Sequence, residues 1–401
     1  MRTLALVLFA LLVPLTATAQ TAQTSNTPGD VENLPVPGWA QGVIDAFSKP
    51  VHPVIGGVAS GGGLGFGVGY DSPEDTLWYQ QAEAMVTMRR YWSLEGEIGR
   101  HSVSKRSQIG AFGAVRHMGR LDFFGIGPHS VFEDRSAYRQ REHTFGTRGW
   151  FRVTPAVRMG ATVAAYMTDL GPGKSPKVRS IEQVFTPAEV PGFNAQQTFG
   201  RYRGFVEFTS PPVVDEALEA AQPRGRYQFA VEAVRDHSEG ANNFNRVETE
   251  LQQRIPGIRP GQRLTLHGFV ATTHGIDDVP YYMLYTLGGS GGLKSFRADL
   301  LGGDGTRASL RGFKNYRFRD RNLLLMQAEY RIPVHKYVHT SVFLDAGQVA
   351  PRPSALFSDL RANIGFSASF VRKGKTVGRM DIGFGGGEGV HLFWSFGAFQ
   401  D

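Results

Sequence analysis

The chain has no cysteine. A disulfide framework, a zinc–thiolate site and a cysteine nucleophile are therefore excluded. Long apolar runs are also missing. After residue 13 nothing approaches the ~18 consecutive apolar residues of a transmembrane helix, and mean hydropathy is −0.22, so a helical membrane bundle is excluded. Neither sign of charge dominates: 43 basic and 36 acidic residues are interspersed, for a net charge of +7. Nucleic-acid binding requires a clustered basic face, and none is visible. A mild basic balance instead suits contact with anionic lipid head groups. The 22 prolines follow no triplet period, which excludes collagen. What the chain does have is glycine, 50 of 401 residues against a usual ~7 %, together with 28 Phe and 13 Tyr. Glycine is poor inside helices and abundant aromatics argue against disorder, so closed β structure fits best.

The first residues read as an export signal. Arg2 supplies charge, Leu4 to Val13 is an apolar run closed by Pro14, and Ala17-Thr18-Ala19 is a small-residue cleavage pattern before Gln20. Residues 1–19 are expected to be a signal peptide, and the absence of cysteine excludes lipidation there. Residues 20–53 read as a short periplasmic leader, with either a short helix or an ordered loop over 37–47 (Trp39, Val43, Ile44, Phe47). About 36 residues are too few for an independent domain, which rarely folds below ~40 residues without disulfides or metal. Residues 54–401 form the remaining domain.

From Val54 onward the pattern alternates with a period of two. In 57–70, Gly57, Gly61, Gly63, Gly65, Gly67 and Gly69 oppose Val58, Leu64, Phe66, Val68 and Tyr70. In 323–332, Leu324, Met326, Ala328 and Tyr330 oppose Gln327, Glu329 and Arg331. The stretches 338–347, 361–371 and 390–396 repeat the theme, the last with Val390, Leu392, Trp394 and Phe396 on one side. A helix would repeat every 3.6 residues, so these are strands. A soluble sandwich also alternates. Here the apolar face is bulky and often aromatic near strand ends, and the other face is charged or glycine, as lipid outside and water inside require. Lipid leaves no partner for an open sheet edge, so the sheet must close. The expected fold is all-β: a closed antiparallel transmembrane β-barrel of about 16 strands. Approximate strand starts are 56, 76, 92, 109, 143, 156, 198, 226, 244, 262, 281, 323, 338, 361, 376 and 390. By this count the stretch 169–197 lies on the periplasmic side, where so long a connection is unusual.

The longest segment between strands, 288–322, carries five Arg and one Lys within Arg307–Arg321, interleaved with Phe313, Tyr316 and Phe318. Such a loop is usually functional or disordered, and the interleaved aromatics suit a packed one. Leu310-Arg311-Gly312-Phe313 resembles the Val-Arg-Gly-Phe/Tyr signature of the BamA/TamA superfamily of bacterial surface-antigen barrels. Phe343-Leu344-Asp345-Ala346-Gly347 is similar to that family's Phe-x-Asp-x-Gly strand motif, and Glu329-Tyr330 to its acidic–aromatic pair, in the family's order. The glycine-rich first strand and Asp122–Pro128 fit as well. The resemblance covers roughly 54–401. It implies a Gram-negative outer-membrane barrel whose long loop folds inward, in a short form without periplasmic polypeptide-binding (POTRA) repeats. It also implies a structural lock in which Arg311, with Gly312 and Phe313, clamps the loop to the wall at Glu329, Asp345 and Gly347.

The alternation places Glu329 and Asp345 on the lumen side independently of that likeness. Two carboxylates in a confined space need a cation, and a guanidinium can bridge both. Enzymatic readings find less support. Gly288-Gly289-Ser290-Gly291-Gly292 fits Gly-x-Ser-x-Gly but lacks the strand-to-helix setting of a nucleophile elbow. His274 with Asp277 and Asp278 reads as a solvated loop, His335 and His339 straddle a turn, and the glycine strings around Gly65 and Gly385 fall in strands. No enzyme activity, metal or cofactor is expected. The leading function is insertion, translocation or remodelling at the outer membrane through a weak lateral seam of Gly63 and Gly65 against Trp394 and Phe396. A passive pore or structural surface barrel is the alternative, and a barrel hydrolase the third. Expected partners are outer-membrane lipid and lipopolysaccharide, with a separate periplasmic protein or client polypeptide, and no nucleic acid.

Overall fold

The structure is a computed structural model that describes residues 49–399, apart from 74–75, 174, 176, 194–195, 212–221, 276, 290–309 and 373–374. The expected signal peptide and nearly all of the expected leader lie outside the described residues. Sixteen strands follow one another: β1 Val51–Gly56, β2 Gly65–Asp71, β3 Trp78–Thr87, β4 Trp92–His101, β5 Ser107–Phe123, β6 Ser136–Thr154, β7 Val157–Pro172, β8 Thr198–Thr209, β9 Arg224–Asp236, β10 Phe244–Pro256, β11 Arg263–His274, β12 Asn322–His335, β13 Val338–Ala350, β14 Arg361–Arg372, β15 Lys375–Gly385 and β16 Val390–Phe399. Each pairs antiparallel with the next. β1 lies beside β16, with no register joining the two among the described residues. Among those residues no helix is long and apolar enough to cross a membrane; the crossing is made by strands.

The alternation has the expected sense. Phe66, Leu94, Leu344, Phe366, Leu392 and Trp394 stand exposed on the outward face. Their chain neighbours Glu95, Asp345 and Ser367 turn inward and are buried, as is Asp381, which pairs with Ser367. This is the pattern of a sheet with hydrocarbon on one side.

Two strand assignments need correction, and they cancel in the count. The run 56–70 is not one strand. Gly61 and Gly63 take φ of +86° and +78°, a left-handed conformation that ends a strand and turns the chain. The residues before that turn, Val51–Gly56, form a strand of their own, which begins three residues ahead of the expected barrel start. The other error is at 281. Pro280 leads into a 3₁₀ turn over Tyr281–Met283, and Tyr285–Leu287 pairs only with Phe318–Asp320 in a small hairpin separate from the main sheet. With the extra strand at the start, 173–197 and 275–321 leave the same end of the sheet, contrary to the placement of 169–197 on the periplasmic side. They touch there: Tyr281 N–H donates to Pro191 C=O at 2.9 Å, and the Tyr282 hydroxyl to Gln197 Oε1 at 2.6 Å. The opposite end carries tight turns such as 102–106, 155–156 and 336–337, as the periplasmic end of an outer-membrane barrel does.

The interior also departs from a simple watery lumen. At the long-loop end Phe123, Tyr138, Tyr166, Phe199, Tyr281 and Tyr282 form one buried cluster, with Tyr138 and Tyr281 edge-to-face at 4.9 Å. Elsewhere the inward face is charged and internally paired, as in Arg148–Glu97 at 2.8 Å, Arg201–Glu232 at 2.7 Å and Arg203–Glu248 at 2.6 Å.

Leu344 lies mid-strand on the outward face and is 53 % exposed. Leu344→Arg is expected to destabilise the barrel by about 2–4 kcal/mol in lipid vesicles, as a cation near the bilayer midplane does. Equilibrium urea unfolding checks this. An unchanged midpoint would place that face outside the hydrocarbon.

Candidate functional site at the loop tip and the strand seam

Three inward rows of the wall receive the loop. Register places Gln327, Asp345 and Asn363 side by side, then Glu329, Phe343, Gly365 and Gly383, then Arg331, Ser341, Ser367 and Asp381. The middle row is bare where the loop lies. A Cβ on Gly383 would sit 2.1 Å from Arg311 C=O, and one on Gly365 would sit 2.2 Å from Phe343 Cζ. The tip itself needs the same economy: a Cβ on Gly312 would sit 2.3 Å from Asn363 Cβ. Gly347 lets the wall accept the hairpin, because a Cβ there would lie 2.6 Å from Leu324 C=O and 3.2 Å from Leu287 Cδ1. Each glycine is thus set by close approach of backbone or ring.

Onto this floor the tip lays a guanidinium. Arg311 Nε donates to Asp345 Oδ2 at 2.9 Å and Nη2 to Asp345 Oδ1 at 2.6 Å, a bidentate pair. Nη1 donates to Glu329 Oε2 at 2.9 Å and, longer, to Asp381 Oδ1 at 3.4 Å. The Arg311 backbone N–H adds a bond to Asp345 Oδ2 at 3.2 Å, and its guanidinium lies 3.4 Å from the centroid of the Phe343 ring, a cation–π contact. Gln327 and Asn363 also donate to Asp345, at 3.0 and 3.2 Å. Asp345 is fully buried, and Arg311 is 6 % exposed. Arg311 thus contacts both carboxylates singled out in the sequence.

The sequence did not disclose the second cation. Arg379 Nη1 and Nη2 donate to Glu329 at 2.8 and 2.7 Å, and its Nε to Asp381 Oδ1 at 2.9 Å. Two guanidiniums therefore face three carboxylates. The available signal was the alternation of Arg379 and Asp381 with Met380 and Ile382, which puts two opposite charges on the lumen side of one strand.

The rest of the loop is anchored in apolar surroundings. Phe313 packs edge-on to Phe318 at 5.3 Å, in a buried cluster with Leu287, Leu310, Leu323 and Leu325. Arg317 binds Glu388 and donates to Ser130 Oγ at 2.8 Å, and Arg319 donates to Tyr281 C=O at 2.7 Å. Gly127, in the family-like segment 122–128, bridges to Arg319, its N–H donating to Arg319 C=O at 2.7 Å. Asp320 is buried at the hairpin's end, and burial pushes its carboxyl up to about 6.

The seam residues are placed differently from expectation. Gly63 lies in the turn before β2, and Gly65 begins β2, paired to Gly56 on one side and Thr87 on the other. Neither is on the edge strand. Trp394 is on β16 and 54 % exposed outward; Phe396 is on the same strand, its side chain outside the described residues. The edge facing β16 is Val51–Gly56. Of the enzyme candidates, Ser290 lies outside the described residues. His274 Nε2 is 2.9 Å from Thr272 Oγ1, and Asp277 Oδ2 accepts from Asn243 N–H at 2.9 Å. Both are engaged locally.

Arg311→Ala is expected to cost about 3–5 kcal/mol by leaving Asp345 buried without its bidentate cation, read as a lowered temperature of heat modifiability on gels. Asp345→Asn in the same chain should recover part of the loss. A fully heat-stable Arg311→Ala barrel would refute the importance of the contact. For Asp320 the sign is opposite. Its raised carboxyl pKa means that the folded state favours the protonated form, so a penalty grows from about pH 4 and is complete above about pH 6. Asp320→Asn should therefore stabilise the barrel on the order of 2 kcal/mol at pH 8 and leave it unchanged at pH 4. Urea titrations at both values decide.

The profile of the Omp85 superfamily domain matches residues 224–392. Comparison with curated proteins found no match. Among solved structures, BamA from Haemophilus ducreyi lacking POTRA domains 1–3 is similar, with a TM-score of 0.57 and 15 % identity over 86 % of this chain and 69 % of that one. CdiB from Escherichia coli aligns with a TM-score of 0.56 and 9 % identity, and CdiB from Acinetobacter baumannii with 0.53 and 10 %. Each covers 86 % of this chain, and 62 % and 59 % of the respective CdiB. At these identities the likeness is one of fold, and this chain spans about three-fifths of either CdiB. The chain thus has the fold of the barrels BamA and CdiB, and its residues 224–392 match an Omp85 superfamily domain.

Proposed function

We propose that this barrel acts on other polypeptides at the outer membrane, in insertion, translocation or remodelling, by opening laterally between β1 and β16. The observation that carries this reading is the poverty of the β1 edge. Asp71 N–H donates to Pro50 C=O at 2.9 Å, which makes 50 and 71 a hydrogen-bonded pair. By alternation 52, 54 and 56 also direct their backbone groups to β2, leaving Val51, Pro53 and Ile55 to face β16. Proline has no N–H, so the edge offers two donors. The opposing strand is ten residues long against six in β1. Unpaired backbone groups cost several kcal/mol each in hydrocarbon. A seam with few bonds is cheap to part, and a β16 that outruns β1 by four residues favours pairing with an incoming strand.

In the same reading the Arg311 contact holds the loop against β12–β15, so that the last strands stay rigid while the seam moves. Client polypeptides, and a periplasmic protein that delivers them, are the partners implied; lipid and lipopolysaccharide surround the barrel. Packing of the lumen by the aromatic cluster and the loop speaks against a passive pore.

Because the chain has no cysteine, engineered pairs report cleanly. Cysteines scanned along Val51–Ile55 and Val390–Trp394 should, when oxidised, abolish assembly of reconstituted outer-membrane client barrels into liposomes, and a reductant should restore it. Full activity in the cross-linked protein would refute the seam.

A further inference from the structure

The outward face carries a groove of about 940 Å³ across β5–β9. Register shows how it arises. Ile109 stands opposite Gly149, Gly149 opposite Ala161, Ala161 opposite Gly204, and Gly204 opposite Val231. Three successive strands thus present no side chain larger than a methyl on one row, and the surface sinks there. The next outward row toward the tight turns is bulky: Phe151, Met159, Val206 and Phe229, again in mutual register. On the far side Val163 faces Tyr202. The floor is open, since a Cβ on Gly204 would meet nothing within 4 Å.

The direction of the groove is informative. Ile109 is the third residue of β5, close to the turn 102–106, whereas Val231 is the eighth residue of β9. Strands of such barrels tilt by ~35–45°, so a groove that crosses them at right angles climbs obliquely from the interface toward the midplane. Four strand spacings of ~4.8 Å give a run of about 19 Å, enough at that slope to traverse most of one leaflet of a ~30 Å core. At its shallow end the groove is lined by Arg100 and His101. Arg100 is exposed on the outward face, with its guanidinium 5.9 Å from the Trp78 ring centroid, and Lys105 and Arg106 follow in the adjoining turn.

We propose that this groove seats one acyl chain of an anionic phospholipid from the leaflet at the tight-turn end, with the phosphate held at Arg100. A second copy of the chain is the weaker fit, because a stable protein interface buries about 1,200–2,000 Å² and this feature is a narrow slot with a cationic mouth. The inference rests only on the outward face lying in lipid and is independent of the seam.

Native mass spectrometry tests it on the barrel released from nanodiscs of mixed phosphatidylglycerol and phosphatidylcholine. The wild type should retain phosphatidylglycerol preferentially. Gly204→Leu, which enters open space and should fold with normal heat modifiability, should lower retention at least fivefold. Arg100→Gln should retain lipid but lose the headgroup preference. Three results would each overturn the proposal: unchanged retention in folded Gly204→Leu, no headgroup preference in the wild type, or a dimer that Gly204→Leu abolishes.

Discussion

Hydrocarbon offers no hydrogen-bond partner, and every other feature of this barrel answers to that constraint. Fifteen successive antiparallel pairings satisfy the strand edges from β1 round to β16. The apolar side chains that a water-soluble protein would hide stand outside, and the charged ones are turned inward. Once inside, charges must be matched at short range, which accounts for the ladder of Arg–Glu pairs along the lumen wall.

The meeting of loop and wall is the densest instance of that matching. Arg311 alone would satisfy Asp345 but would leave Glu329 and Asp381 sharing what remained. Arg379 contacts both, so the carboxylates are held by the wall as well as by the loop. Glycine makes the geometry possible from both directions, at Gly312 on the tip and at Gly365 and Gly383 on the floor. The Phe343 ring occupies the space that Gly365 leaves, and the Arg311 backbone that left by Gly383.

Much of this was legible in the sequence because the relevant signals are local. Alternation is a property of neighbouring residues, so thirteen of the expected strand starts fall within two residues of observed ones, and the start expected at 143 lies seven residues inside β6. Arg311, Glu329 and Asp345 were found together because a motif and a lumen-facing parity agreed. The failures share a cause, which is that they depend on partners distant in sequence. Gly57–Leu64 continues the alternation only through Val58 and Leu64, and positive φ at Gly61 and Gly63 makes it a turn. Tyr281–Leu287 has strand-like composition, yet its partners lie within the lumen. Arg379 became part of the site only through the register of β15 against β14 and β14 against β13, which no window of sequence contains.

The position of the loop in the chain has a temporal consequence. Residues 275–321 precede in the chain every strand they touch from β12 onward, and Arg311 depends on Glu329 in β12, Asp345 in β13 and Asp381 in β15. Contacts of such separation are slow to form. Arg311 therefore meets its full set of carboxylates only once β12, β13 and β15 are in place, whereas Arg319 already has the Tyr281 C=O and the Tyr138 hydroxyl. Seating of the loop then becomes a late step of biogenesis that certifies completion of the final hairpins.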